Sequence, residues 1–256
     1  MILLRNSPLL VFVLSLVVLG LSARLGVFFR DRRGSIDDSA RQDFDLVLGA
    51  TLTLLALIIG FSFSMAVTRY DQRRSYEEEE ANAIGTEYLR VGLLQAGEAA
   101  KLRDLLSRYL DQRILFYESR SITQLGQINS VTAKLQTDMW AAVQIPGTAQ
   151  PTPSVALVLS GMNDVLNSQG YTQAAWSNRI PLGAWALMAA IAICSNLFTG
   201  FGLRSTKVSA LLILVLPILV SISFLLIADI DSPRGGMIRV HPVNLISLSQ
   251  SLHGTS

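Results

Sequence analysis

Cysteine and histidine are almost missing from this chain: one Cys, Cys194, and two His, His241 and His253, stand in 256 residues. A lone thiol excludes an intramolecular disulfide. Two scattered imidazoles cannot make a His/Cys metal cluster, and no phosphate-binding glycine loop occurs, so neither a metal site nor a cofactor motif is expected and an enzyme is not indicated. Charge is scarce as well. Only 16% of residues are Asp, Glu, Lys or Arg, and the net charge is +2. Such a small balance, with no basic run interleaved with aromatics, argues against a nucleic-acid partner.

What fills the space is apolar. Half of the residues are hydrophobic and the mean hydropathy is +0.43, more than is usual for a soluble globular chain. A bilayer core needs roughly 20 mostly apolar residues as helix, and four runs qualify. The first is Pro8 to about Phe29, with Arg5 before it and Arg30, Arg32 and Arg33 after it. The second is Phe44 to Thr68, without charge after Asp45, the third Ile180 to Leu203, and the fourth Val208 to Ala228 with Pro217 near its middle. A bilayer helix tolerates such a proline as a kink. The first run loosely imitates a signal peptide, but its apolar stretch is long for one. Lys and Arg near the span ends fall about equally on both faces (Arg5, Arg69, Arg73, Arg74, Arg179, Arg234 and Arg239 against Arg24, Arg30, Arg32, Arg33, Arg41, Arg204 and Lys207). The positive-inside rule therefore does not orient the chain.

Between the second and third runs, helical periodicity dominates. Leu102, Leu105, Leu106, Tyr109, Leu110, Ile114 and Tyr117 recur at spacings of three and four, as an amphipathic helix requires. Ile122, Leu125, Ile128, Val131, Leu135 and Met139 make a second stripe, which the Pro and Gly of "IPGTAQPTP" are expected to end within Ile145 to Pro153. A third helix is expected from Ser154 to about Gln169, with Gly170 interrupting it. The fold class is all-α: a polytopic membrane protein with four transmembrane helices and a helical soluble domain inserted between two hairpins. The divisions are 1–68, 69–179, 180–229 and a tail at 230–256.

The second run is expected to leave the bilayer without a break, since only Gly60 between Leu46 and Ala83 disfavours helix; that stretch would be about 55 Å long. It runs into "RYDQRRSYEEEE". Arg73 with Glu77 and Arg74 with Glu78 lie one turn apart and can pair along an exposed helix. The Glu77–Glu80 run reads either as a solvated helix face or as a ring of carboxylates at a pore mouth, if copies surround an axis; Arg69 and Asp71 stand beside it. Inside the second run, Gly49, Thr53, Ala56, Gly60 and Ser64 share one face. Small residues there allow close helix packing in lipid; alternatively they face a path that Phe61 and Met65 narrow. Asn196 in the third run is expected to hydrogen-bond a neighbouring helix. Asp229, Asp231 and Arg234 follow the fourth run as a cap and turn, or as a contact for "RYDQRR".

Two long stretches carry a resemblance. "RYDQRR" followed by "EEANAIGTEYLR" (Arg69 to Arg90) and "LIADIDSPRGGMIRVHP" (Leu226 to Pro242), with weaker likeness at "MNDVLN" and "RIPLGAW", resemble a bacterial membrane-protein family described as bestrophin-like, named for its distant likeness to bestrophin anion channels. The chain departs from the family's pattern at "NSQGYTQAAW", where Gly170 and uncharged residues replace a more regular charged helix. The resemblance implies a multi-pass protein of the bacterial inner membrane with cytoplasmic termini and a cytoplasmic helical domain. It further implies a homo-oligomer in the lipid bilayer whose second span lines the axis for small anions such as chloride. The competing class is a non-conducting scaffold or signalling protein whose helical domain binds a partner.

Overall fold

The structure is a computed structural model and describes residues 7–33, 38–149, 151–203 and 210–254. Arg5, Arg204, Lys207 and the start of the fourth run lie outside these residues. Among the described residues no strand occurs. The helices are α1 (Pro8–Arg33), α2 (Asp38–Arg90), α3 (Ala96–Glu118), α4 (Ile122–Ala149), α5 (Pro153–Ser177), α6 (Leu182–Phe201), α7 (Ala210–Asp231) and α8 (Val243–His253), with a short 3-10 turn at Val91–Leu93. Four stretches are long and apolar enough to cross a membrane by length and composition: Pro8–Arg32, Ser39–Leu93, Pro153–Phe201 and Leu211–Asp231.

Helix α2 is continuous for 53 residues and outruns the expected end near Ala83 by two turns. Helix α4 runs through Pro146 and ends at Ala149, inside the expected Ile145 to Pro153 stretch: a proline there removes one N–H bond, and with only the last turn remaining the helix absorbs the loss. One expectation fails. Helix α5 passes through Gly170, where a side chain would meet open space; one exposed glycine costs a helix only about 1 kcal/mol. The start of α5 is well signalled, with Thr152 accepting a hydrogen bond from Val155 N and Pro153 at the first position.

The chain divides into two compact units. The first takes α1, α2 up to Arg69, α6, α7 and the turn after it to Arg239. Here α1 packs on α6 and α7. The approach of α1 to α6 is backbone to backbone: a Cβ at Gly26 would overlap Leu197 O and lie 2.8 Å from Phe201 N, and one at Gly200 would overlap Ala23 O and lie 2.9 Å from its carbonyl carbon. Ser22 Oγ donates to Ile193 O at 2.8 Å across the same contact. Beyond Phe201, Arg30 donates to Leu203 O (3.1 Å) and Arg41 to Gly202 O (2.7 Å), so guanidinium groups satisfy carbonyls past the negative end of a helix dipole.

The second unit takes α2 from Tyr70, α3, α4, α5 and the chain from Val240 onward. Its core joins Ile84, Leu106, Tyr109, Leu110, Met139, Val143, Met162, Val165 and Leu245. Leu102, Leu105, Leu106, Tyr109, Leu110 and Tyr117 are buried along α3, whereas Val131 on α4 faces outward and Thr132 takes the inner place. The tail is therefore part of this unit, with Leu245 wholly buried and Leu248 reaching within 3.0 Å of a Cβ placed on Gly85.

Candidate functional site

In the first unit, α2 presents two faces. Leu55, Ser62 and Ala66 are buried. Gly49, Thr53, Ala56, Gly60, Phe61, Ser64 and Met65 are all exposed, and a Cβ added to Gly49 or Gly60 would meet nothing within 4 Å. At about 100° per residue the small-residue stripe lies about 140° round the helix from the buried line. Within one copy it is therefore not a packing surface. Thr53 returns its hydroxyl to Gly49 O (2.9 Å) and Thr68 to Ser64 O (2.9 Å); among the described residues the Ser64 hydroxyl makes no such bond. Close packing of small residues occurs instead at Gly26 and Gly200.

The turn after α7 is built around two aspartates. Asp229 Oδ1 accepts from Met237 N (2.7 Å) and Oδ2 from Ile238 N (2.8 Å), while Gly236 N donates to Ser232 O (3.3 Å). Asp231 accepts from Ile180 N (3.0 Å), just before α6, and lies 3.7 Å from Arg69 Nη1. Asp229 thus serves the turn and Asp231 ties three segments together, with Arg234 half-buried beside them. Asn196 is wholly buried and donates to Ala192 O of its own helix (2.8 Å), not to a neighbour.

In the second unit the acidic run splits. Glu78 and Glu79 are exposed with Asp71 and Arg74, but Arg73, Glu77 and Glu80 are buried. Glu77 does not serve an exposed i,i+4 pair. Its Oε1 accepts from Asn244 N (2.9 Å) and Leu245 N (3.0 Å), and its Oε2 from Asn244 Nδ2 (2.6 Å): a side chain of α2 fills the N-terminal amides of α8. Among the described residues no ion pair joins Arg74 to Glu78. No group of three or more His, Cys, Asp or Glu able to hold a metal occurs among the described residues either.

A family model for the bestrophin-like domain matches residues 11–245. The chain belongs to the bestrophin-like family. Solved structures agree at the level of fold. A bacterial bestrophin homologue from Klebsiella pneumoniae carrying a single mutation superposes with a TM-score of 0.66 at 13% identity, covering 95% of this chain and 98% of the other. Another structure of a homologue from that organism gives 0.65 at 13% identity, over 94% and 97%. A variant of the homologue with a different single mutation gives 0.62 at 14%, over 95% and 98%. No curated protein matches.

The bestrophin-like chain also turns part of its charged run inward, where the sequence pattern read an exposed face. Arg73, Glu77, Glu80, Ile84 and Glu87 are all buried, and their spacings of four and three put them along one seam of α2, which the buried Val91 follows in the 3-10 turn. Glu80 is the centre of a closed network: Arg113 pairs with it through Nε, Tyr117 OH donates to Oε2 at 3.2 Å and Thr172 Oγ1 at 3.1 Å. The Arg113 guanidinium also lies 4.4 Å from the Phe116 ring centroid. Burial, then the Glu80 charge, keeps the Tyr117 hydroxyl protonated well above the usual tyrosine range. Burial alone would lower Arg113; the Glu80 carboxylate reverses that and raises it. The signal was present in α3, since Arg113 occupies the stripe position four residues after Tyr109.

Proposed function

We propose that the chain is a subunit of an oligomeric anion channel, of chloride type, in which α2 lines the path. The observation that carries this reading is the exposed stripe of Gly49, Thr53, Ala56, Gly60 and Ser64 on a helix whose opposite face is buried. A helix buried on one side and lined by small residues on the other leaves room for a path when copies surround an axis. Phe61 (64% exposed) and Met65 (40%) then stand at its narrow part, where apolar side chains gate by dewetting. The likeness to bacterial bestrophin homologues adds fold-level support. The same reading puts the first and second hairpins, 1–68 and 180–229, in the bacterial inner membrane, with termini and the 69–179 domain on the cytoplasmic side. Arg69, Asp71, Arg73, Arg74, Glu77, Glu78, Asp229, Asp231 and Arg234 then belong to the ends of the spans on that side. The exposed Arg74 and Asp71 offer the charge an entering ion would meet.

Purified protein in liposomes, first shown to be oligomeric by mass, should pass chloride. Ser64→Ala keeps the volume but removes a hydroxyl that can replace part of an ion's hydration, so it should change the rate or the anion preference without changing the oligomer. A folded oligomer that passes no anion across pH, calcium concentration and voltage would overturn the channel in favour of a non-conducting scaffold.

A further inference from the structure

Of the buried carboxylates on the α2 seam, Glu87 alone is met by no donor. Its side chain is wholly buried, and among the described residues neither carboxyl oxygen has a hydrogen-bond partner. It stands one turn before the end of α2, where the chain breaks into the 3-10 turn at Val91. Across from it is Gly161 in the middle of α5. A Cβ there would overlap Glu87 Oε2, lie 3.0 Å from its Cδ and 2.6 Å from Arg90 Nη1. The carboxyl therefore rests directly on the backbone of α5, in a notch that only glycine leaves open.

Two charges act on it. Arg90, on the same helix, is about one-third exposed and its Nη1 lies 3.9 Å from Asp164 Oδ2 on α5, itself mostly exposed. The arginine favours the carboxylate and the aspartate opposes it, so burial dominates. An ionised carboxylate with no donor in a buried notch is costly, whereas the neutral acid is tolerated far better. Burial accordingly raises Glu87 to about 8.

We propose that Glu87 is a proton-binding site that latches the end of α2 to α5: the neutral acid sits in the Gly161 notch, and loss of the proton releases that contact. The inference concerns the helical unit alone and stands or falls independently of anion conduction. Opening lets the carboxylate reach water, where it regains an ordinary acidity. The open form then binds fewer protons than the closed one between about pH 4.5 and about pH 8. The opening equilibrium should rise about tenfold per pH unit across that window and level off above it.

The test is hydrogen–deuterium exchange of the full chain in detergent, read in peptides covering 84–94 and 155–166 and corrected for intrinsic exchange, from about pH 5.5 to about pH 9 so as to bracket the upper end of that window. Protection in both peptides should fall steeply up to about pH 8 and then flatten. Glu87→Gln, neutral and of the same shape, should abolish the slope and keep the acid-side protection. Asp164→Asn removes the opposing charge and should move the flattening to lower pH while leaving the slope below it. Flat wild-type protection across the range overturns the proposal; so does a slope that survives Glu87→Gln. Were Glu87→Gln not to fold, an unmoved profile in Asp164→Asn would overturn it instead.

Discussion

Replacing Gly200 by alanine should loosen the contact between α1 and α6 far more than the addition of one methyl suggests. A Cβ at Gly200 would overlap Ala23 O, lie 2.9 Å from Ala23 C and 3.2 Å from Val27 N. All three neighbours are backbone of a helix and cannot swing aside. Ordinary contact needs about 3.4 Å or more, so the helices must part by on the order of 1 Å, and interiors packed to crystal density do not absorb that. Overpacking of this kind costs about 1–3 kcal/mol. The upper part of that range applies here, because separation also stretches the 2.8 Å Ser22–Ile193 bond and loosens the wholly buried Met188 and Ala192. Thermal unfolding in detergent should show the midpoint fall by about 5 °C or more for a chain of this size. Gly26→Ala acts at the same crossing and should give a similar loss, with the double variant less than additive. Gly170→Ala, in a helix with open space around it, should instead gain up to about 1 kcal/mol through helix propensity. A Gly200→Ala protein that melts with the wild type would refute the backbone contact between these helices.

Removing one member of the buried Glu80–Arg113 pair, as in Arg113→Met, should cost about 3–5 kcal/mol because the remaining charge is left buried without its partner. The double variant Glu80→Gln, Arg113→Met should recover part of the loss in the same unfolding assay. Glu77→Ala leaves Asn244 N and Leu245 N without their acceptor and should cost about 1–2 kcal/mol, as loss of a helix cap does. Limited proteolysis should then cut first at or after Pro242, and unchanged cleavage there would show that Glu77 does not hold α8.

The long apolar helices were legible because a single apolar segment crossing hydrocarbon must close its own hydrogen bonds, which only a helix does. Their contacts were less so. Gly49 and Gly60 looked like a packing motif, yet the close approach of the described chain uses Gly26, with the small Ser22 one turn before it, and Gly200, which has Asn196 at that spacing. Spacing shows that small residues share a face; it does not show what the face meets. In the helical unit the apolar stripes of α3 and α4 placed the core, and the error came at Gly170, where tertiary packing carries a helix through a weak residue. The candidate charges divided in the same way. Asp229 and Asp231 could be read as turn and tie, since acidic residues beside Pro233, Gly235 and Gly236 announce a turn. Glu77 and Glu80 could not, because a run of four acids hides that two of them face inward.

The buried charges on α2 also answer why a span runs straight into them. An apolar seam at positions 73, 77, 80 and 87 would extend the hydrophobic run by almost four turns, and nothing in hydropathy would then fix where the helix leaves the bilayer. On the proposed reading, in which the span ends near Thr68, charges at those positions fix it. On that reading, sliding α2 inward by one turn would draw Arg73 toward the edge of the hydrocarbon, where a charge is disfavoured. Sliding it by two would also pull Glu77 from the amides of α8 and leave those amides unsatisfied. The helical unit tolerates acids on this seam only because, among the described residues, each carboxylate but Glu87 is met: Glu77 by the start of α8, and Glu80 by Arg113, Tyr117 and Thr172. One sequence pattern thus ends an apolar run and specifies which helices may pack beside its continuation.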